Sequence, residues 1–169
     1  SFGTPVVFES ASSDYTSATF DSSNNKVVIA YRDLGNSSHG TAIVGTVSST
    51  SISFGSATVF ESASSQYISA TFDSSNNKVF IAYQDVGNSR HGTAVVGTVS
   101  GTSISVGSAV VFQNQRSEYI SATFDSSAKK VVVAYRNDGG DGSDYGTAIV
   151  GTVSGTSVSF GSATVFESA

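Results

Sequence analysis

The chain has 169 residues and a formal net charge of -5, and its eight Lys and Arg residues are scattered along it. Nucleic acids and anionic membranes are bound by clustered basic side chains, and a membrane span needs roughly 20 apolar residues in a row, so this sequence argues against nucleic-acid binding and membrane insertion. The absence of Cys excludes disulfides, thiol nucleophiles and thiolate metal sites, and a Ser/Thr-rich, acidic composition without Met favours an extracellular or surface-exposed location.

Composition predicts an all-β fold. Apolar residues make up 38% of the chain and charged residues only 12%, so Ser, Thr and Gly replace hydrophobic residues without the charge repulsion that keeps chains disordered. Val, Ile, Thr, Phe and Tyr are abundant while the strong helix formers are scarce or absent, which favours strands over helices.

The chain is built from an internal repeat. The segment "SFGTPVVFES" at Ser1 returns in related form at Ser53, Ser105 and Ser159, with spacings of 52, 52 and 54 residues. The pattern indicates one repeat region over 1–169, with repeats at about 14–60, 66–112 and 118–166, here called repeats 1, 2 and 3. Residues 1–8 restate the last segment of a repeat.

Each repeat reads as four strands, A to D, in chain order. In repeat 2, strand A is expected over Tyr67–Asp73, where apolar and polar residues alternate, and "SSNN" turns the chain into B, Lys78–Asp85. B is almost continuously apolar, so it is expected to be covered on both faces. C follows at Thr93–Val99 and D at Ile104–Phe112, where Gly107 would permit a bend.

Four short antiparallel strands in roughly 50 residues, repeated, indicate the blade of a β-propeller. Single-ring propellers have about four to eight blades, so three four-stranded blades and one extra D strand at 1–8 predict completion by homo-oligomerisation or membership of a longer repeat protein.

The run from "YTSATFDSSNNKVVIAYRD" through "TAIVGTVSSTSISFGSATVF" resembles the blades of sialidase-type, Asp-box propellers. The resemblance implies DA and BC loops together on one face and AB and CD turns on the other. The CD turns here lack the Asp of the Asp-box. The catalytic residues of that family cannot be placed on this chain either, so no enzymatic activity and no cofactor are predicted.

The BC loops hold the candidate ligand-binding residues, because Arg, His and acidic residues concentrate there. "D-x-G-N" can instead be a local turn in which Asp accepts hydrogen bonds from backbone N–H groups. The candidate residues are Arg32, Asp33, Asn36, His39, Gln84, Asp85, Asn88, His91, Arg136, Asp138, Asp144 and Tyr145.

The sequence argues against a His-based metal site and offers three Asp residues as ligands for calcium. His39 and His91 occupy equivalent positions where repeat 3 has Tyr145, an exchange that favours packing or stacking on a sugar over metal ligation. Asp138, Asp141 and Asp144 could supply oxygens to calcium, although their spacing does not match an EF-hand loop.

Two functions follow from the sequence. The first is a non-catalytic, multivalent binding module that holds carbohydrate or cell-surface glycan through the DA and BC loops. The alternative is a structural, self-assembling repeat segment of a surface, fibre or viral appendage protein.

Overall fold

A computed structural model describes residues 2–138 and 144–168 of the chain, and in these residues the fold is all-β without helices. All pairings are antiparallel, and the hydrogen-bonded strands form one sheet that does not close on itself. No part of the described chain is a helix of the length and apolar character that crossing a membrane requires. The strands are β1 Ser13–Asp21, β2 Lys26–Asp33, β3 His39–Ser48, β4 Ser51–Phe54, β5 Thr58–Asp73, β6 Lys78–Asp85, β7 His91–Ser100, β8 Ser103–Val106, β9 Val110–Asp125, β10 Lys130–Asp138, β11 Asp144–Ser154, β12 Ser157–Phe160 and β13 Thr164–Ser168.

The long strands β5 and β9 join neighbouring repeats. The first part of β5 pairs with β3 of repeat 1 and its second part pairs with β6 of repeat 2; β9 links repeats 2 and 3 in the same way. The expectation of DA loops between the repeats is therefore wrong for 61–67 and 113–119. Their backbone groups pair with strands on both sides, so the chain stays extended through them.

The other predicted boundaries agree better with the structure. β6 covers Lys78–Asp85 as predicted for strand B, and "SSNN" forms the turn that precedes it. The expected bend in D is confirmed, because D is divided into β8 and the start of β9 at Gly107. A Cβ atom on Gly107 would lie 1.9 Å from the carbonyl oxygen of Thr156 in the next repeat, so only glycine fits there.

The repeats pack on one another through opposite faces of their strands. One face of repeat 1, here called the Ala face, consists of Val28, Ala30, Ala42 and Val44, and it forms one core with the facing side of repeat 2, here called the Tyr face, which includes Val79, Ile81, Tyr83 and Val95. The equivalent residues of repeats 2 and 3 form the second core. The same two faces thus pack together twice along the chain.

The burial of each B strand follows from how many neighbouring repeats pack on it. β6 is buried on both faces along nearly its whole length, as predicted, because repeat 2 has a neighbour on each side. The prediction is wrong for β2 and β10, where burial is complete on one face only. Their outer faces lack the neighbouring repeat that covers β6.

The predicted extra D strand at 1–8 does not form over residues 2–8, the part of it that the structure describes. Residues 2–12 take part in no ladder, because the described chain offers no preceding C strand with a free edge for them. They still lie on repeat 1: the Phe8 ring contacts the ring of Tyr31 at a centroid distance of 5.1 Å.

Candidate functional site

The segments before strand A and the turns between strands B and C meet at one edge of each repeat, here called the loop edge (residues 9–15, 32–39, 61–67, 84–91, 113–119, 136–138 and 144–145). The Leu34 N–H donates to the Ser12 carbonyl oxygen at 3.0 Å, and the Ser65 N–H of the next repeat donates to Ser38 at 3.3 Å. Equivalent bonds recur one repeat later, at Val86 and Ser117. These backbone bonds bring most of the predicted site residues to the same edge.

Asp33 and Asp85 are largely buried and shape the BC turns. Asp33 Oδ1 accepts hydrogen bonds from the N–H groups of Gly35 at 2.9 Å and Asn36 at 3.1 Å, and Asp85 accepts the N–H of Asn88 at 3.1 Å. Burial, followed by the nearby Glu61 carboxylate, raises the pKa of Asp85. Both carboxylates therefore serve local turn formation, which is the alternative to ligand binding that the sequence left open.

Arg32 is paired across the strands with Asp14. Its Nε donates to Asp14 Oδ1 at 2.6 Å and its Nη2 donates to Asp14 Oδ2, a two-pronged arrangement that matches the flat guanidinium to the carboxylate. The carboxylate raises the pKa of Arg32. The guanidinium carbon also lies 4.8 Å from the centre of the Tyr15 ring, within the range of a cation–π contact.

Repeat 3 extends this pair into an ion network around Glu118, whose side chain is nearly buried. Arg136 and Arg116 both bind the Glu118 carboxylate, and Arg136 Nη1 also donates to Asp144 Oδ2 at 2.9 Å. Arg116 Nη1 lies 3.9 Å from Asp138 Oδ2. Three of the predicted site residues, Arg136, Asp138 and Asp144, are therefore brought together, and they bind other side chains of the same repeat.

In repeat 2 a pair of glutamines takes the place of the ion pair. Gln84 lies opposite Gln66, in the register position where repeat 1 has Arg32 and Asp14 and repeat 3 has Arg136 and Glu118. Gln84 is fully buried, and its Nε2 donates to the Ser117 carbonyl oxygen at 2.6 Å. Its Oε1 atom has no hydrogen-bond partner among the described residues. This predicted ligand residue lies in the interior, away from solvent.

The remaining predicted residues are less constrained. Asn36 and Asn88 are exposed at the tips of the BC turns, and their backbone carbonyls accept the N–H groups of His39 and His91. Tyr145 lies opposite Asn137, as His39 lies opposite Asp33. The equivalence of the two His positions with Tyr145 is thus also an equivalence of place in the ladder.

A row of tyrosines lies along the loop edge and was not predicted from the sequence. Tyr15, Tyr67 and Tyr119 stack in order, with centroid distances of 5.3 and 5.2 Å. Each has a φ near +50° and lies at a β-bulge, so the strand gains a residue there and the ring turns toward its neighbours. The signal available in the sequence was the invariant Tyr at the start of strand A.

A second unpredicted contact joins strand B to the preceding segment. The Tyr31 hydroxyl donates to Glu9 Oε2 at 3.3 Å and the Tyr83 hydroxyl donates to Glu61 Oε2 at 3.0 Å, while in repeat 3 Gln113 Nε2 donates to the Tyr135 hydroxyl at 3.3 Å. Burial raises the pKa of all three tyrosines, and the facing carboxylates raise it further for Tyr31 and Tyr83. These hydroxyls are held in their neutral form.

Within residues 2–138 and 144–168, no three His, Asp or Glu side chains converge in a way that could hold a metal ion, and no enclosed pocket is found. Asp141, one of the three candidate calcium ligands, lies outside the described residues. The loop edge is a surface of paired side chains with the Tyr row along it.

Comparison of the chain with protein-family models, with curated proteins and with solved structures gives no match.

Proposed function

We propose that this chain is a non-catalytic structural repeat module, of the kind from which a surface, fibre or viral appendage protein is assembled. The observation that carries the proposal is that the polar side chains of the loop edge are engaged with one another. Asp33 binds its own turn, Arg32 binds Asp14, and Arg136 binds Glu118 and Asp144. Groups that are already paired in this way stabilise the fold, and a ligand would have to displace their partners.

We propose further that each repeat of the chain is a blade of the β-propeller type. Antiparallel strands that pack face to face in successive repeats support this architecture, as does the resemblance to sialidase-type blades. The proposal includes an extracellular or surface location, which the Cys-free, Ser/Thr-rich composition supports.

The structural role can be tested by the stability of Asp33→Ala. Loss of the two turn hydrogen bonds is expected to lower the free energy of unfolding by about 1–2 kcal/mol in chemical denaturation, as for a lost helix cap. Asp33→Asn keeps the accepting Oδ1 and should lose less. Ligand-binding groups usually cost a protein stability, so an unchanged or higher stability of Asp33→Ala would contradict the structural role.

A second candidate function, glycan binding, is favoured by one observation. The Tyr119 ring is 66% exposed at the end of the Tyr row, and the Arg136 guanidinium lies 5.2 Å from its centre. An exposed ring beside charged groups can stack on a sugar and hold its hydroxyls.

Glycan binding is tested on an array with the wild-type chain, Tyr119→Ala and Tyr119→Phe. Binding that is lost in Tyr119→Ala and kept in Tyr119→Phe would support a stacking site. A blank array with folded wild-type protein would remove this candidate and leave the structural function in place.

A further inference from the structure

We propose that a second copy of this chain docks head to tail on the first, with the Tyr face of its repeat 1 covering the Ala face of repeat 3. The inference rests on the proposed structural function and names its partner and its two surfaces. It is drawn from the packing between the repeats, which already joins these two faces twice within one chain.

The Ala face of repeat 3 has the residues needed for such a contact. Val132, Ala134, Ala148 and Val150 occupy the positions of Val28, Ala30, Ala42 and Val44, and the four residue types are identical. In repeat 1 these side chains are buried, with Val44 at 0% exposure, whereas Val150 is 46% exposed. The outer surface of repeat 3 is therefore a copy of a surface that repeat 2 covers elsewhere in the chain.

The Tyr face of repeat 1 carries exposed apolar side chains, so it is complementary to the Ala face of repeat 3. Phe20 is 54% exposed while its equivalent Phe72 is 9% exposed, and Val47 is 52% exposed while Val99 is 6% exposed. Covering apolar surface of this kind is favourable by roughly 25 cal/mol per Å². One position differs, because Thr16 stands where repeats 2 and 3 have the buried Ile68 and Ile120.

Within residues 2–138 and 144–168, three series of contacts between repeats end with a member that has no counterpart in a following repeat. The Ala70 N–H donates to Ser17 Oγ at 3.0 Å and the Ala122 N–H donates to Ser69 Oγ at 2.9 Å, and the next hydroxyl in this series is that of Ser121. The Tyr row ends at the exposed Tyr119. A following repeat 1 would supply Ala18 and Tyr15 to these two groups.

The third series involves glycines of the D segments. A Cβ atom on Gly55 would lie 1.9 Å from the Thr102 carbonyl oxygen, and Gly107 meets Thr156 in the same way. The equivalent Gly161 has only its own repeat's Val150 oxygen nearby, at 3.8 Å. Thr50 of a following copy would fill that place.

The N-terminal segment of the docking copy has to move for this contact to form. Residues 2–10 occupy on repeat 1 the place that the preceding D segment occupies on repeats 2 and 3: Gly3 lies against Thr50, and Phe8 against Tyr31. The C-terminal segment of the first copy would need the same place for Gly161 and Phe166. It is paired through β13 with β11, whereas 2–12 pairs with no strand, so the N-terminal segment is the one to leave.

Contacts between two different faces are heterologous, so each copy keeps one face free and can bind a further copy. The decisive experiment therefore uses two variants, each with one face blocked. Val150→Arg places a charge on the Ala face of repeat 3 and Phe20→Asp places one on the Tyr face of repeat 1. Both side chains are about half exposed in the single chain, so both variants should fold, as circular dichroism can verify.

Sedimentation equilibrium of the wild type should give a mass that rises with concentration above the 17.2 kDa of one chain. Each variant alone should associate roughly tenfold more weakly or not at all, because a charge is buried without a partner. A mixture of the two should form a complex of two chains and no larger species. Asn88→Arg, on an exposed turn of the middle repeat, is the matched control and should behave as the wild type.

Removal of residues 1–10 tests whether the N-terminal segment has to leave repeat 1 before a second copy can dock there. The truncated chain should associate more tightly than the wild type, and Thr16→Ile should do so as well by extending the apolar face. The proposal would be overturned if either blocked variant associated at wild-type strength, or if the mixture formed no two-chain complex. It would also be overturned if the wild type and the truncated chain were both monomeric at all concentrations. The stability of Asp33→Ala tests the structural function independently of these results.

Discussion

The exchange of an ion pair for two glutamines in repeat 2 has a physical reason. Arg32 and Asp14 are partly exposed, so water still solvates both charges, whereas Gln84 is fully buried between the neighbouring repeats. Burial of a charge pair costs several kcal/mol in desolvation, and neutral amides avoid most of that cost. The neutral pair thus stands in the repeat where the strand-B residue is fully buried, and the charged pairs stand where the strand-B arginine keeps some exposure.

Gln84→Arg should therefore destabilise the chain strongly. A buried guanidinium opposite Gln66 has no carboxylate partner, and we expect a loss of about 3 kcal/mol or more in the free energy of unfolding by urea titration. Adding Gln66→Asp should recover part of the loss. The matched double variant Asp14→Gln with Arg32→Gln, at the partly exposed equivalent, should change stability by less than about 1 kcal/mol. Equal effects at the two sites would contradict this explanation.

The buried tyrosines predict how stability changes at alkaline pH. The pKa of Tyr83 is raised in the folded chain and lies near 10 when the chain unfolds, so its stabilising effect is complete below about pH 10 and is lost as the pH rises above that value. In Tyr83→Phe the free energy of unfolding should fall less steeply above pH 10. Identical slopes for wild type and variant, measured by urea unfolding at each pH, would show that Tyr83 is not held neutral.

Among the elements, the A–B hairpins show how local sequence sets stability. In the turn of repeat 2, Asp73 Oδ1 accepts the N–H groups of Ser75 and Asn76, and its Oδ2 accepts the Asn76 side-chain amide at 2.8 Å. Asn77 has a φ of +55°, a conformation that Asn tolerates well. In repeat 3, Ala128 and Lys129 replace the two asparagines, and Lys129 keeps the positive φ.

Restoring the asparagines should strengthen this hairpin. Ala128→Asn with Lys129→Asn adds the side-chain bond to Asp125 and relieves the unfavourable Lys backbone, for a gain of about 1 kcal/mol in the free energy of unfolding. Thermal and urea unfolding of the double variant measure the gain. The reverse change in repeat 2, Asn76→Ala with Asn77→Lys, should cost a similar amount, and a result of the same sign for both would refute this account of the turn.

The elements also mark where the sequence was a good guide and where it was not. Alternation of apolar residues and turn signals located β6 and the "SSNN" turns, because both depend on neighbours in sequence. The polar runs 61–67 and 113–119 resembled loops, yet they lie inside β5 and β9 because strands from two repeats pair with them. Pairing partners distant in sequence decided the outcome there.

The sequence predicted where the site residues lie but not which groups their side chains contact. Arg32, Asp33 and Asp85 lie at the predicted edge, but their partners Asp14, Gly35 and Asn88 are set by the strand register and the turn geometry. The positive φ of the three row tyrosines depends on bulges that no local pattern reveals.

At the scale of the whole molecule, the chain is a series of equivalent repeats in which the same two faces pack together twice. Each D segment except the last lies against the C–D turn of the following repeat, where the backbone approach leaves no room for a side chain at Gly55 or Gly107. The last D segment has the same glycine at Gly161, where the nearest atom of the described residues is the Val150 oxygen of its own repeat at 3.8 Å. Replacement of Gly55 and of Gly161 by alanine should therefore change the free energy of unfolding by very different amounts.

The comparison of Gly55→Ala with Gly161→Ala tests the stacking of the repeats most directly. By urea unfolding under conditions where the wild type is monomeric, Gly55→Ala should lose about 1–3 kcal/mol, because its methyl group meets the Thr102 backbone. Gly161→Ala should change the free energy of unfolding by less than about 0.5 kcal/mol and, at higher concentration, weaken the association of copies. Equal losses at the two positions, or a larger loss at Gly161, would contradict the account.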